Sequence, residues 1–205
     1  MINNESLSLL RASVKGKLSE KRFAHVLGVE KAAAKIGEFC LPEKILQLRA
    51  AALLHDVTKE LSQDEHIEIL KRNSFSPTAD LLSNPHLLHS FSAPYAVSER
   101  YSEFATAEVL SAVEKHTLGA ENMSVFDEII FISDYVEDGR TYDSCVTARS
   151  FLFDSLNPGD VESNLSALHR ACIMSIDFTV EALEKKKRFV HPRILLAKQY
   201  LTTLI

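Results

Sequence analysis

The chain has 205 residues, 46% hydrophobic and 25% charged, with a formal net charge of −5. That length suits one domain, or one with a small appendage, and the apolar content excludes a disordered chain. The acidic balance argues against a protein that coats nucleic acid, while leaving room for a local phosphate site.

The opening stretch MINNESLSLLRASVKGKL lacks the apolar core and small-residue cleavage signal of a secretory leader. No stretch approaches the roughly 20 apolar residues that span a bilayer. Cys40, Cys145 and Cys172 are far apart, odd in number and without CxxC spacing, as expected for buried small hydrophobes in a reducing compartment. A cytoplasmic protein is expected.

From residue 19 to 40, Phe23, Val26, Leu27, Ala33, Ile36 and Phe39 recur with helical spacing. Pro42 can open a second helix, which runs toward Leu61 and carries Ile45, Leu46, Leu48, Ala52 and Leu53. Ser62 suits an N-cap, with Glu65 placed for a capping box. Asn73–Asn84 reads as a polar, Pro-bearing loop. Helices follow near 86–100, 105–116 and 124–137, with breaks at 138–141 and at 157–160. A long helix is expected over 161–188, and His191-Pro192 precedes a last one over 193–204. The basic run at 184–188 is read as a solvated last turn that complements the helix dipole. Nothing alternates with period 2, so the fold class is all-α.

Into this pattern fall six candidate metal ligands: His25, His55, Asp56, His89, His116 and Asp134. His55 and Asp56 end the apolar run Ala50-Ala51-Ala52-Leu53-Leu54, and Asp134 ends Ile129-Ile130-Phe131-Ile132-Ser133 in the same way. Taken singly, each histidine would be a satisfied core residue and each carboxylate the partner of an Arg or Lys. Taken together, five segments each place a polar ligand at the edge of an apolar helix, where it needs a partner, and one shared cation would serve them all. Mixed imidazole and carboxylate ligands suit a transition metal. Periodicity alone leaves their convergence in space open. His86 rivals His89 three residues away, and His66 and His169 read as helix-surface residues.

The order His25, His55-Asp56, Asp134 resembles the H…HD…D signature of the HD-domain metal-dependent phosphohydrolases, and His89 and His116 resemble its binuclear version. More narrowly, RFAHVLGVE, AALLHDVTKEL, LLHSFSAPYAV, EKHTLG, IIFISDYVEDGR and FVHPRILLAKQYL resemble, in order, the YqeK-like branch of symmetrical bis(5′-nucleosyl)-tetraphosphatases. The chain departs from that branch at Leu118, where HTTG is usual, at Asp138, where Pro is usual, and at Ser90-Phe91-Ser92-Ala93-Pro94. Residues 141–165 resemble it poorly.

The resemblance implies a single all-helical domain with an HD core over about 18–140 and C-terminal helices over about 145–205. It implies that His25, His55, Asp56 and Asp134 hold one metal, and that His89 and His116 hold a second, with Asp56 bridging. The metals would be divalent or mixed-valence ions, iron by the resemblance, although manganese, cobalt or nickel also suit such ligands. Catalysis would use a metal-activated hydroxide to cleave diadenosine tetraphosphate into two ADP. Lys59, Arg140 and Glu137 are the candidate substrate-binding residues. Lys59, four residues after His55, could neutralise a phosphate near Asp56 during catalysis. Arg140 offers a fork for a terminal phosphate, and Glu137 is placed to orient water or a histidine. His191 is read as a cap for the long helix's end, with a pocket role left open by the resemblance.

Expected partners are a dinucleoside polyphosphate or nucleotide substrate, with neither nucleic acid nor membrane, and a homodimer is left open. Three alternatives are weighed: an HD phosphohydrolase acting on nucleoside monophosphates or other phosphate esters, a non-catalytic nucleotide sensor, and a plain helical interaction protein. Product analysis separates the first from the leading reading, and the complete ligand set argues against the other two.

Overall fold

Most helices in this chain begin where a polar side chain can take up an orphan N–H. Ser62 accepts from the Glu65 amide while the Glu65 side chain accepts from the Ser62 amide, and Ser124 and Asp127 repeat the device. The computed structural model describes residues 2–205 and contains eleven α-helices and no strand among them. In chain order they are α1 (Asn4–Lys15), α2 (Glu20–Cys40), α3 (Ile45–Leu54), α4 (Gln63–Arg72), α5 (Ala79–Ser83) and α6 (Leu88–Arg100). α7 (Ala107–Lys115), α8 (Val125–Val136), α9 (Asp143–Ser155), α10 (Val161–Lys185) and α11 (Pro192–Thr202) complete the fold.

α8 is the central rod. Phe126 through Ser133 are all buried, so the helix is covered on every side, by α2, α3, α7, α9 and α10. α2 lies along α3 as well, and Gly37 permits the approach: a Cβ there would stand 2.6 Å from Leu48 Cδ1. α6 packs between α4 and α7, and α10 carries α9 and α11. One apolar cluster runs from Leu7 in α1 to Leu201 in α11. A smaller one, of Leu70, Leu81, Leu87, Leu88 and Leu118, sits beneath α5.

Four elements differ from the sequence expectations. α1 was not anticipated as a helix, although it buries Leu7, Leu10 and Val14 on one face. The polar segment 73–84 contains the short α5, capped by Thr78. α9 occupies part of the poorly resembling stretch. The helix that opens after Pro42 ends at Leu54 rather than near Leu61. From there the chain tightens through Val57 N–H to Leu54 O, Lys59 N–H to Asp56 O and Leu61 N–H to Thr58 O. These three-residue closures wind the chain more tightly than an α-helix. His55 and Asp56 therefore sit on a turn just beyond α3. His191 caps the start of α11, accepting from the Arg193 amide, not the end of α10.

Candidate metal centre

The six candidate ligands arrive from five places. His25 is on the second turn of α2, and His89 is the second residue of α6. His55 with Asp56, and His116, directly follow α3 and α7, while Asp134 lies in the last turn of α8. Three helix C-termini thus point at one spot. Their unpaired carbonyls carry partial negative charge, which favours a cation.

The same carbonyls orient the imidazoles. Nδ1 of His55 lies 2.6 Å from Ala52 O, Nδ1 of His116 lies 2.7 Å from Val113 O, and Nδ1 of His89 lies 2.8 Å from His86 O. Each is the carbonyl three residues back: Ala52 O and Val113 O are among the last carbonyls of α3 and α7, which lack intrahelical partners, and His86 O belongs to the 3-10 turn before α6. With Nδ1–H donated, Nε2 is left as the ligand atom. His25 stands inside α2, where carbonyls are already bonded, so it needs an external acceptor. Glu137 supplies one, with Oε1 3.1 Å from Nδ1. Glu137 is itself held by the Gly139 amide at 2.6 Å. It fits only because of glycine: a Cβ on Gly28 would come within 2.3 Å of Glu137 Oε2.

Asp56 is the hub. Its Oδ2 lies 3.4 Å from His55 Nε2 and 3.8 Å from His25 Nε2. Its Oδ1 lies 3.4 Å from His89 Nε2 and 3.6 Å from His116 Nε2. His25 Nε2 is also 3.0 Å from Asp134 Oδ1. Ligands bound at roughly 2.0–2.2 Å to one ion stand about 2.9–3.6 Å apart at ordinary coordination angles, so the spacing suits a metal. His25 Nε2, His55 Nε2 and Asp56 Oδ1 are buried and make no hydrogen bond. Each such orphan costs about 1–3 kcal/mol, which a cation would offset. Two tight ligand groups result, His25–His55–Asp134 and His55–Asp56–His116.

Protonation states also suit a cation. Burial works to raise the Asp56 pKa, but the neighbouring imidazoles, His55 first, outweigh it and hold the carboxyl well below its usual range. Asp134 is likewise held low, by His25 and Arg140 against burial. Burial and Lys59 push His89 well down, and burial pushes His116 down, so both are neutral ligands near pH 7. Burial opposes charge on His55, yet Asp56 raises it overall.

The three proposed substrate-facing residues stand differently. Lys59 Nζ is 3.0 Å from His89 Nε2, beside a cavity of about 220 Å³ that Gln63, His66 and His86 also line. Burial lowers the Lys59 pKa. Arg140 donates to Asp134 Oδ1 at 2.7 Å and to Asp134 O at 3.0 Å. It lines a larger cleft of about 800 Å³ with Arg22, His25, Glu137 and Tyr142. Glu137 is buried at 4% exposure, its carboxylate turned to His25 and Gly139.

Several residues escaped the sequence analysis. Arg22 donates to Asp56 Oδ2 at 2.8 Å, and the signal was there, since it sits one turn before His25 on the same face. Thr117 Oγ1 lies 3.0 Å from His89 Nε2 and 2.9 Å from His116 Nε2. Thr58 Oγ1 donates to His89 O, and Ser92 links Thr58 to His66 Nδ1 at 2.8 Å. His66 is therefore buried in a polar chain behind His89, not a surface residue. His169 is also buried, 2.7 Å from Glu128. Short amphipathic helices hide such contacts because the partner comes from another element.

An all-helical fold whose His and Asp side chains form groups suited to a divalent metal is the class that the structure defines. The HD domain family matches residues 22–139, and the chain belongs to that family. It is 29% identical over 193 residues to the symmetrical bis(5′-nucleosyl)-tetraphosphatase of Bacillus subtilis, covering 94% of this chain and 95% of that one. The enzyme of the same name from Halalkalibacterium halodurans is 29% identical, over 89% of each chain. Among solved structures, an HD superfamily hydrolase from Clostridium acetobutylicum, described as involved in NAD metabolism, superposes with a TM-score of 0.82. It is 28% identical, over 96% of both chains. No helix among the described residues is long and apolar enough to cross a membrane.

Proposed function

We propose that this chain is a metal-dependent hydrolase that cleaves diadenosine tetraphosphate symmetrically into two ADP at a binuclear His/Asp centre, with iron as its metal. The observation that carries the reading is Asp56, each of whose oxygens faces its own pair of histidines at 3.4–3.8 Å. His25, His55, Asp56 and Asp134 would hold one ion, and Asp56, His89 and His116 the other. Two ions so placed, when bound, lower the pKa of a water and polarise P–O bonds.

The chain's own residues do the rest. Arg140 and Arg22 set two guanidinium groups at the cleft wall where phosphoryl oxygens would lie. Lys59 adds a third cation on the His89 side. Glu137 holds the His25 ring, so that Nε2 faces the ions without rotating. The three cysteines are free and buried, in keeping with a cytoplasmic enzyme.

The test is product analysis with metal-replete protein. ADP alone from diadenosine tetraphosphate is the expected result. AMP plus ATP would overturn symmetrical cleavage. No turnover, beside brisk dephosphorylation of nucleoside monophosphates, would favour the alternative HD phosphohydrolase. Elemental analysis should find about two transition-metal ions per chain, as a two-metal hydrolytic site requires.

A further inference from the structure

The wall of the large cleft carries an aromatic ring with no structural task. Tyr142 is 72% exposed, one of the most exposed large hydrophobic residues among those described. It occupies the N-cap of α9, yet its side chain makes no capping hydrogen bond. Elsewhere this chain fills that position with residues that do cap: Ser19, Ser62, Thr78, Thr106, Ser124 and Asp160. α3 and α6 also begin without a side-chain cap, but each continues directly from a 3-10 turn, at Pro42–Lys44 and Pro85–Leu87, whereas α9 has no such turn before it and Tyr142 still leaves its first turn uncapped, which points to a task outside the fold. One turn on, Val146 is 43% exposed and extends the apolar face.

Location supplies the task. Tyr142 lines the cleft of about 800 Å³ that reaches His25 of the ring, with Arg22 and Arg140 on its walls. That volume lies in the roughly 300–1,000 Å³ range of pockets that bury a small organic ligand. The cleft is lined by His25, by the guanidinium groups of Arg22 and Arg140 and by the exposed phenol ring of Tyr142. A nucleotide has parts to match each of these groups: reacting phosphorus, phosphate oxygens and a flat base. Aromatic rings hold bases through their faces with little regard to sequence, which suits a planar purine at an open cleft mouth.

We infer that Tyr142 is a nucleobase platform that holds one adenine of the substrate against the cleft mouth, with Val146 as its apolar margin. This rests on the proposed dinucleotide reading for the identity of the substrate. The platform makes Tyr142 a specificity-determining residue, acting on binding and leaving the hydrolytic step unchanged.

The chain contains no tryptophan, so Tyr142→Trp gives a single indole at the platform. In the metal-replete enzyme, ADP should quench or shift that emission, whereas inorganic pyrophosphate, which has no base, should not. In parallel, Tyr142→Ala should raise KM for diadenosine tetraphosphate by about 10-fold or more, as loss of one stacked base would. Its kcat should stay near wild type, and inhibition by inorganic tripolyphosphate should be unchanged. Tyr142→Phe should restore KM. Indole emission that ADP leaves unmoved, or a Tyr142→Ala KM within twofold of wild type, overturns the inference. Failure of the proposed function looks different. A wild-type enzyme that ignores the dinucleotide while ADP still quenches the indole would refute the substrate and leave the platform standing.

Discussion

Glu137 offers the sharpest test of how the centre is held. Three of its histidines lean on backbone carbonyls three residues back, but His25 lies inside α2 and depends on Glu137 Oε1 at 3.1 Å. Removing such an outer partner typically costs 10- to 100-fold in metal affinity or activity, about 1.4–2.7 kcal/mol. Glu137→Ala should therefore weaken metal binding within that range, read by chelator competition, with the helical circular dichroism intact. Glu137→Gln should fall between: one amide oxygen cannot serve both His25 and Gly139, and its NH₂ faces a donor.

Gly28→Ala approaches the same contact from the other side. Within a helix, Gly to Ala ordinarily stabilises by about 0.5–1 kcal/mol. Here the new Cβ would lie 2.3 Å from Glu137 Oε2, so the carboxylate must leave. The expected outcome is a thermal midpoint near wild type or higher, together with a metal affinity lowered as in Glu137→Ala. If both variants hold metal within twofold of wild type, Glu137 does not position His25 and the reasoning fails.

Asp56→Ala should lose both ions and all turnover, since its two oxygens face both histidine pairs, while His86→Ala should keep most activity because only its backbone carbonyl meets His89; metal content and steady-state rates decide both. Lys59→Ala and Arg140→Ala should bind metal at saturating concentration yet lose about 10- to 150-fold in kcat/KM, the worth of one charge-assisted contact; unchanged kinetics would return either residue to a structural role. Burial pushes the Cys40 thiol up to about 12 and raises Cys145 and Cys172. Thiolate is the reactive form, so native protein should resist iodoacetamide near pH 7 and react only after denaturation, as mass spectrometry would show.

The sequence made the candidate ligands legible because each sits at the polar edge of an apolar run, a one-dimensional signal. The capping box at Ser62 was legible from its spacing to Glu65, whereas the one that Ser124 and Asp127 form was not read. What it could not show was partnership across elements. His66 looks exposed on an isolated helical wheel, yet it is covered by Ser92 of α6. Arg22 reads as one more cation until Asp56 arrives from the far end of α3. α9 fell within the C-terminal helices that the resemblance implied from about 145, but the hydrophobic pattern missed it, since its buried residues Cys145, Ala148 and Leu152 include only one large aliphatic. The early end of α3 turns on backbone closures between residues 54 and 61, which leave no mark in the hydrophobic pattern.

The departures from the resembling branch were expected to shape the substrate pocket, and their positions divide them. Leu118 is 5% exposed and packs in the small cluster with Leu70, Leu81, Leu87 and Leu88, which Phe91 flanks. Ser90 and Ser92 are buried, bonded to Leu87 O and to Thr58 with His89 O. None of these residues lines the large cleft. Only Asp138 stands on that wall, paired with Lys31 at 2.6 Å. Leu118→Thr, which restores the branch's usual residue, should therefore act on stability. Truncating a buried leucine costs about 2–5 kcal/mol, and threonine adds an unpaired hydroxyl, so a loss of about 2–4 kcal/mol is expected in urea unfolding. KM for the dinucleotide should stay within twofold. A KM that moves while stability holds would make Leu118 a pocket residue, and specificity would then be written behind the ring as well as along residues 137–142.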